Sequence, residues 1–160
     1  MNKCIFLDRD GILNKCRLIK NKPFPPRSIS DLQINKKIRP LLLKLKYLKY
    51  LLIIITNQPD VARGTTTKDF VSQINNAITN YHPIDDLYVC FHDNNDNCNC
   101  RKPKPGNILK AIKKHNIDIT KSYMIGDRKG DIQAGNASGI KSIFVDYDYD
   151  EIKPQNYNYK

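Results

Sequence analysis

Short apolar runs alternate along the chain with stretches in which apolar residues repeat every three or four positions. Five of the runs have strand length and are rich in β-branched and aromatic residues: residues 4–7, 51–55, 87–91, 123–125 and 143–145. Continuous runs of this kind are typical of strands that are buried on both faces of a parallel sheet. The pattern therefore predicts five buried strands.

Helical periodicity fills the intervals between these strands. Four helices are predicted, over residues 38–48, 70–78, 108–112 and about 131–138. Thr66 and Thr67 are candidate caps for the second helix, and Pro105 suits the first turn of the third. Gly139 suits a left-handed cap after the fourth helix.

The alternation of strand and helix predicts a doubly wound α/β fold with a mainly parallel sheet. In such sheets ligands bind outside the carboxyl ends of the strands, and the chemically suggestive residues described below all follow predicted strands. Residues 14–30 contain three prolines and are expected to form an ordered loop near the first strand end. We assign no function to the polar, tyrosine-rich tail that begins at Asp146.

The composition is that of one domain over residues 1–160, because 40% of the residues are hydrophobic and suffice for a single core. No apolar stretch approaches the roughly 20 residues needed to span a bilayer. The first residues do not form a secretory signal. A cytoplasmic protein is therefore expected, and a monomer is the default.

The net charge of +11 permits an anionic partner. The lysines are scattered, however, and no dense basic run with interleaved aromatic residues occurs. The charge follows a compositional bias towards Lys, Asn and Ile. Nucleic acid is therefore not the expected partner, and the charge is at most permissive for phosphate-bearing substrates.

Two carboxylates, Asp8 and Asp10, lie at the end of the first predicted strand and are followed by Gly11. Phosphate-transfer enzymes present a nucleophile beside a proton donor in this way. An acidic pair after an apolar run is also a common surface turn. The functional interpretation therefore depends on the later segments.

A polar segment directly follows the second strand: Thr56, Asn57 and Gln58. A threonine hydroxyl can donate a hydrogen bond to a phosphate oxygen without adding charge. Arg63 supplies a guanidinium group that suits a second anionic group on a substrate. Taken alone, a polar turn that closes a strand would explain the segment equally well.

Two further carboxylates, Asp127 and Asp131, follow the fourth strand. Asp127 is expected beside Asp8, across adjacent strand ends. Carboxylates gathered in this way repel one another unless a cation is present, and oxygen ligands suit Mg²⁺. Asp131 can serve as a helix cap, as a metal ligand, or as both.

A compact group of metal-binding side chains follows the third strand: Cys90, His92, Cys98 and Cys100. Three thiols and one imidazole at this spacing match tetrahedral Zn²⁺, and four protein ligands make the site closed and structural. A disulfide is not expected in a cytoplasmic chain. The zinc loop over residues 90–100 would fix the two cations that follow it, Arg101 and Lys102, over the strand ends.

These segments, in this order, resemble the haloacid dehalogenase (HAD) superfamily of phosphohydrolases. More narrowly, residues 8–14, 56–58, 62–64, 100–103 and 126–127 are similar to the D-glycero-D-manno-heptose 1,7-bisphosphate phosphatases. That group shares a subfamily with the histidinol-phosphate phosphatases. The resemblance extends from about residue 3 to residue 145.

The resemblance implies catalytic roles for several of these residues. Asp8 would attack phosphorus and form an aspartyl-phosphate. Asp10 would protonate the leaving sugar oxygen and then activate water. Thr56 and Lys102 would stabilise the phosphoryl group. The residues implied to bind the substrate, a small phosphorylated sugar, are Asn57, Gln58, Arg63 and Arg101.

The resemblance also implies two metals. Mg²⁺ would be held by Asp8, the backbone carbonyl of Asp10, and Asp127, with Asp131 close by. The zinc ligands of the family correspond to Cys90, His92, Cys98 and Cys100.

Two departures from the family pattern concern the substrate pocket. Pro59 and Asp60 stand where Ser-Gly often follows the Thr-Asn-Gln segment, and five residues separate His92 from Cys98 in a short zinc loop. No large cap domain fits in 160 residues, so short loops must supply selectivity. Histidinol phosphate is the alternative substrate. A polynucleotide 3′-phosphatase and a non-catalytic, zinc-stabilised binding module are more distant alternatives.

Overall fold

The computed structural model describes all residues from 1 to 160. Its strands are β1 (Lys3–Leu7), β2 (Arg17–Ile19), β3 (Lys22–Phe24), β4 (Tyr50–Asn57), β5 (Asp86–Cys90), β6 (Tyr123–Gly126) and β7 (Lys141–Phe144). Its α-helices are α1 (Arg39–Tyr47), α2 (Lys68–Tyr81), α3 (Gly106–His115) and α4 (Lys129–Ala137). The five predicted strands and four predicted helices are all present, with ends that differ by a few residues.

The central sheet has five strands in the order β5-β4-β1-β6-β7, and all neighbouring pairs are parallel. The strand β1 lies in the middle, with Leu7 in register with Ile54 on one side and Ile125 on the other. The carboxyl ends of three strands therefore meet at one point of the sheet edge. No large cap domain covers that edge.

Both faces of the sheet carry a buried core, which explains why its strands read as continuous apolar runs. Along β1, Cys4 and Phe6 belong to one core, which includes Ile108 of α3. Ile5 and Leu7 belong to the other core. The predicted doubly wound fold is thus confirmed.

Residues 14–30 differ from the expected loop, because residues 17–24 form an antiparallel hairpin of β2 and β3. Lys20 and Asn21 have φ values of 49° and 57° and make its two-residue turn. Asparagine tolerates this left-handed conformation, and turns of this kind match the twist of a hairpin. The prolines concealed the hairpin because proline is depleted in strands.

The C-terminal tail returns to the sheet. The backbone N–H of Phe144 donates to Tyr159 O at 2.9 Å, and that of Asn158 donates to Ser142 O at 2.9 Å. Residues 158–159 therefore cover the outer edge of β7. None of the helices combines the length and the apolar character needed to cross a membrane.

The predicted helix caps are partly correct. The Thr67 hydroxyl accepts a hydrogen bond from Phe70 N at 3.1 Å and caps α2, whereas Thr66 caps no helix. Pro105 occupies the N-cap position of α3 and not its first turn. Gly139 follows α4 with a φ of 73°, as expected of a left-handed cap.

The two threonines make a matched test of the cap. We expect Thr67→Ala to lower the free energy of unfolding by about 1 kcal/mol, because the N–H of Phe70 loses its partner. Thr66→Ala should change it by less than about 0.5 kcal/mol. Urea denaturation measures both, and equal effects of the two substitutions would contradict the assignment of the cap.

Candidate active site

Asp8 and Asp127 directly follow the neighbouring strands β1 and β6. The backbone N–H of Asp8 donates to Ile125 O at 3.0 Å and so extends the pairing of the two strands by one residue at their carboxyl ends. Gly11 allows the next turn to pass close by, since its φ is 95° and a Cβ there would lie 1.8 Å from Asp127 Oδ2. The glycine of the predicted motif is therefore required by the packing of Asp127.

Lys102 is buried at the centre of the site. Its Nζ lies 2.7 Å from Asp8 Oδ1 and 2.6 Å from Asp131 Oδ1, and it also donates to Ile55 O at 2.7 Å. Burial acts to lower its pKa, but the charges of Asp131 and Asp8 outweigh burial and raise the pKa. Lys102 is therefore a permanent cation beside Asp8.

Three buried carboxylates, Asp8, Asp127 and Asp131, place ligand oxygens within 4.8 Å of one another. Burial and the charge of Asp131 raise the pKa of Asp8 to about 6, against the effect of Lys102. Burial and the charges of Asp8 and Asp131 raise the pKa of Asp127 to about 8. Both carboxylate oxygens of Asp127 are buried without a hydrogen-bond partner. This donor set fits a divalent cation that prefers oxygen ligands.

Asp10 is held apart from these three carboxylates by donors of its own. Its carboxylate accepts hydrogen bonds from Arg9 (2.8 Å), Gln58 (2.9 Å) and Asn14 (3.0 Å). Burial acts to raise its pKa, but the charge of Arg9 and the hydrogen bonds from Asn14 and Gln58 lower the pKa below its ordinary value. In the free protein Asp10 is therefore an anion.

The last two residues of β4, Thr56 and Asn57, and the next residue, Gln58, make hydrogen bonds inside the site. Thr56 is buried, and its hydroxyl accepts a hydrogen bond from Gln58 Nε2 at 2.9 Å. Asn57 makes two hydrogen bonds with the backbone of Lys102: its Nδ2 donates to the carbonyl at 3.0 Å, and its Oδ1 accepts from the N–H at 3.1 Å. Asn57 and Gln58, which the sequence assigns to the substrate, thus bind protein groups in this structure.

Arg63 and Arg101, which the sequence assigns to the substrate, bind residues of the zinc loop. Arg63 donates to both carboxylate oxygens of Asp93, at 2.8 and 2.6 Å. Arg101 donates to Asn94 Oδ1 at 2.9 Å and to the carbonyl of His92 at 3.3 Å. Both guanidinium groups are therefore bound to residues of the zinc loop, although 43% of the Arg63 side chain is exposed.

Asp60 stands where the family often has glycine, and its carboxylate lies close to two arginines. It lies 3.4 Å from an amino nitrogen of Arg63 and 3.8 Å from one of Arg27. Arg27 belongs to the segment that follows the β2–β3 hairpin. Asp60 thus links two loops, and it lines a pocket together with Arg9, Arg27 and Gln58.

The predicted zinc ligands converge. The Cys90 sulfur lies 3.7 Å from that of Cys98 and 3.2 Å from that of Cys100, and the latter two are 3.5 Å apart. His92 Nδ1 lies 3.6 Å from Cys90 Sγ and 3.3 Å from Cys100 Sγ. A tetrahedral zinc ion with Zn–S bonds of about 2.3 Å requires edges of roughly 3.8 Å between sulfurs. The cluster is therefore close to the size of a zinc site and holds no disulfide.

Arg9, Asn14 and Asn75 are site residues to which the sequence assigned no role. The guanidinium of Arg9 is buried between Asp10 and Asn75 Oδ1, to which it donates at 3.0 Å. Arg9 and Asn14 lie within residues 8–14, the first segment that resembles the family, so their place in the sequence could have identified them as site residues. Asn75 lies in the middle of an amphipathic helix, where a buried asparagine has no local signature.

Comparison with known proteins agrees with this arrangement. A family model described as "HAD-hyrolase-like" matches residues 99–154. The D-glycero-beta-D-manno-heptose-1,7-bisphosphate 7-phosphatase of Helicobacter pylori strain J99 is 39% identical over 152 residues, which cover 88% of this chain and 81% of the relative. The histidine biosynthesis bifunctional protein of Blochmanniella floridana is 33% identical over 148 residues, but these cover 40% of its length.

The fold also matches a solved structure. The crystal structure of D,D-heptose 1.7-bisphosphate phosphatase from B. bronchiseptica complexed with magnesium and phosphate superposes with a TM-score of 0.77 at 24% identity, covering 89% of this chain and 79% of that one. The chain belongs to the HAD superfamily of phosphoric monoester hydrolases, in the family of the heptose 1,7-bisphosphate 7-phosphatases.

Proposed function

We propose that this protein removes the 7-phosphate from D-glycero-D-manno-heptose 1,7-bisphosphate. The observation that carries the proposal is the buried pair of Asp8 and Lys102, 2.7 Å apart at the carboxyl edge of β1, with Asp127 beside it. This arrangement offers a nucleophile and cationic stabilisation at one point. The substrate follows from the name of the Helicobacter pylori relative.

In the first step a carboxylate oxygen of Asp8 attacks phosphorus, and the bond between phosphorus and the sugar oxygen breaks. Lys102 and the Thr56 hydroxyl bind the phosphoryl oxygens as charge shifts onto the leaving group. Asp10 gives that leaving oxygen a proton. The negative charge of the incoming phosphate raises the pKa of Asp10 and so favours the protonated form that this step needs.

In the second step water attacks the phosphorus of the aspartyl-phosphate, and Asp10, now an anion again, accepts its proton. Inorganic phosphate leaves and the Asp8 carboxylate is restored. Arg9, Gln58 and Asn14 favour the anionic form of Asp10 between the two steps.

Asp8, the backbone carbonyl of Asp10, and Asp127 would hold Mg²⁺. The cation, when bound, offsets the charge of the carboxylates and of the phosphoryl group. Asp131 has a different set of partners in this structure, since Oδ1 pairs with Lys102 and Oδ2 accepts from Arg128 N at 3.0 Å. We therefore assign Asp131 mainly to positioning Lys102.

Zn²⁺ would be held by Cys90, His92, Cys98 and Cys100. Arg101 and Lys102 follow the last ligand directly, so a closed zinc site fixes the backbone from which both cations project. We assign Arg63 and Arg101, which contact the zinc loop, to binding the sugar and its second phosphate. These assignments complete the proposed site.

A substrate panel tests the proposed function. We expect phosphate release from position 7 of the heptose bisphosphate, in Mg²⁺, to exceed release from histidinol phosphate and from a 3′-phosphorylated oligonucleotide. Asp8→Asn should lower turnover on the order of 10³-fold or more, because an amide cannot attack phosphorus. Its unfolding temperature serves as the control for folding. Preference for histidinol phosphate, or an active Asp8→Asn variant, would refute the proposal.

The raised pKa of Asp127 predicts an unusual pH dependence of stability. Without Mg²⁺, its favourable contribution is complete below the ordinary pKa of 3.8 and is lost as the pH rises towards about 8. Asp127→Asn removes the buried charge, so the Mg²⁺-free variant should unfold roughly 3 °C or more above wild type at pH 8, with little difference near pH 4. Added Mg²⁺ should stabilise wild type alone. A variant less stable than wild type at pH 8 would contradict this account.

Two cysteine substitutions distinguish the loss of a zinc ligand from the general effect of removing a thiol. Purified wild type should contain about one zinc per chain, and Cys98→Ser should lose the metal and unfold at a lower temperature. Cys16→Ser should keep its zinc, since Cys16 lies outside the cluster. Metal analysis of the three proteins decides the matter, and a wild type without zinc would rule the site out.

A further inference from the structure

The segment 146–153, here named the C-terminal strap, leaves β7 and returns towards it. At its start, Val145 N donates to Gly126 O at 2.9 Å, which holds the chain beside the end of β6. Beyond its end, Asn136 of α4 donates to Asn156 O at 2.9 Å, and residues 158–159 bind β7. The strap is therefore held by hydrogen bonds near both of its ends.

The middle of the strap is tied to the hairpin of β2 and β3. Asn21, in the turn of the hairpin, donates through Nδ2 to Asp148 O at 2.8 Å and accepts from Asp150 N at 2.9 Å. Asp148 has a φ of 55°, and Lys153 Nζ lies 2.6 Å from its carboxylate. These bonds fix the backbone on both sides of Tyr149.

The strap is also tied to the residue next to Asp127. Both carboxylate oxygens of Glu151 accept from the guanidinium of Arg128, one of them from Nε at 2.9 Å. A bidentate pair of this kind fixes orientation as well as distance. Tyr149 and Glu151 of the strap line one cleft together with Asp127 and Arg128.

Tyr149 is the strap residue that faces the carboxylate. Its phenol lies close to Asp127 and to the thiol of Cys16, and a phenol is a neutral hydrogen-bond donor. The two oxygens of Asp127 have no hydrogen-bond partner. A neutral donor thus stands beside a buried carboxylate whose partners are missing.

We propose that Tyr149 is a positioning residue for the magnesium ligand Asp127, and that the strap exists in part to hold it there. In this proposal the hydroxyl supplies the donor that the Asp127 carboxylate lacks, and it holds that carboxylate in the orientation that meets the cation without adding charge to the site. Carboxylates that bind metals are generally oriented by a second group, whose loss weakens metal binding by 10–100-fold. The inference rests on the proposed function, since it requires the cation at Asp127.

The chain offers a matched pair of tyrosines for the test. Tyr147 stacks on Tyr149 at 5.6 Å between ring centroids, but 46% of it is exposed. Mg²⁺ titrations of the Mg²⁺-free protein, followed by the rise in unfolding temperature, measure binding without the reaction. We expect Tyr149→Phe to raise the dissociation constant about 10-fold and Tyr147→Phe to leave it within about twofold of wild type.

Asp127→Asn separates the inference from the function on which it rests. If Asp127→Asn loses Mg²⁺ binding and Tyr149→Phe binds as wild type does, the role of Tyr149 is wrong and the metal site stands. If Asp127→Asn binds Mg²⁺ as wild type does, the metal site itself is wrong, and the inference falls with it.

A second variant covers the case in which Tyr149→Phe fails to fold. Glu151→Gln weakens the tie between the strap and Arg128, and it should weaken Mg²⁺ binding in the same direction. At saturating Mg²⁺ both variants should regain turnover within about threefold of wild type, because a positioning residue does not touch the reacting atoms. Unchanged Mg²⁺ binding in Glu151→Gln would overturn the role of the strap.

Discussion

The buried ion pairs of Lys102 are the interaction on which the rest of the site depends. One ammonium group lies between Asp8 and Asp131, at 2.7 and 2.6 Å, in a region from which water is largely excluded. Removing either charge from such a group is strongly destabilising, because the remaining charge has no solvent to replace its partner. The fold must therefore bring the end of β1, the start of α4 and the second residue after the zinc loop to one point.

Two glycines, Gly11 and Gly126, leave the space that the buried carboxylates occupy. A side chain at Gly126 would place its Cβ 2.2 Å from the Cβ of Asp131, just as one at Gly11 would overlap Asp127. Asn57 holds the backbone of Lys102 from the neighbouring strand. The site remains short of positive charge, since its single lysine pairs with Asp8 and Asp131 and leaves Asp127 without a partner. Burial and this charge deficit together explain the raised pKa of Asp127, and the deficit explains the fit for Mg²⁺.

Much of this arrangement could be predicted from the sequence, because strands buried on both faces leave an apolar pattern and their ends carry the motifs. Asp8, Asp127 and Lys102 lie together at one point, and the four predicted zinc ligands converge at another, as expected. What the sequence hid depends on long-range packing. Prolines masked the hairpin at residues 17–24. The hydrogen bond between Arg9 and Asn75 has no local sequence signature. The polar tail has no periodic pattern that would predict its contact with the edge of β7.

Trapping the covalent intermediate tests the central claim most directly. Enzyme quenched during turnover of the heptose bisphosphate would be reduced with borohydride, which converts an aspartyl-phosphate into homoserine, and its peptides analysed by mass spectrometry. The account predicts homoserine at position 8, absent without substrate and absent from Asp8→Asn. Steady phosphate release with an unmodified Asp8, or modification at Asp10 instead, would contradict it.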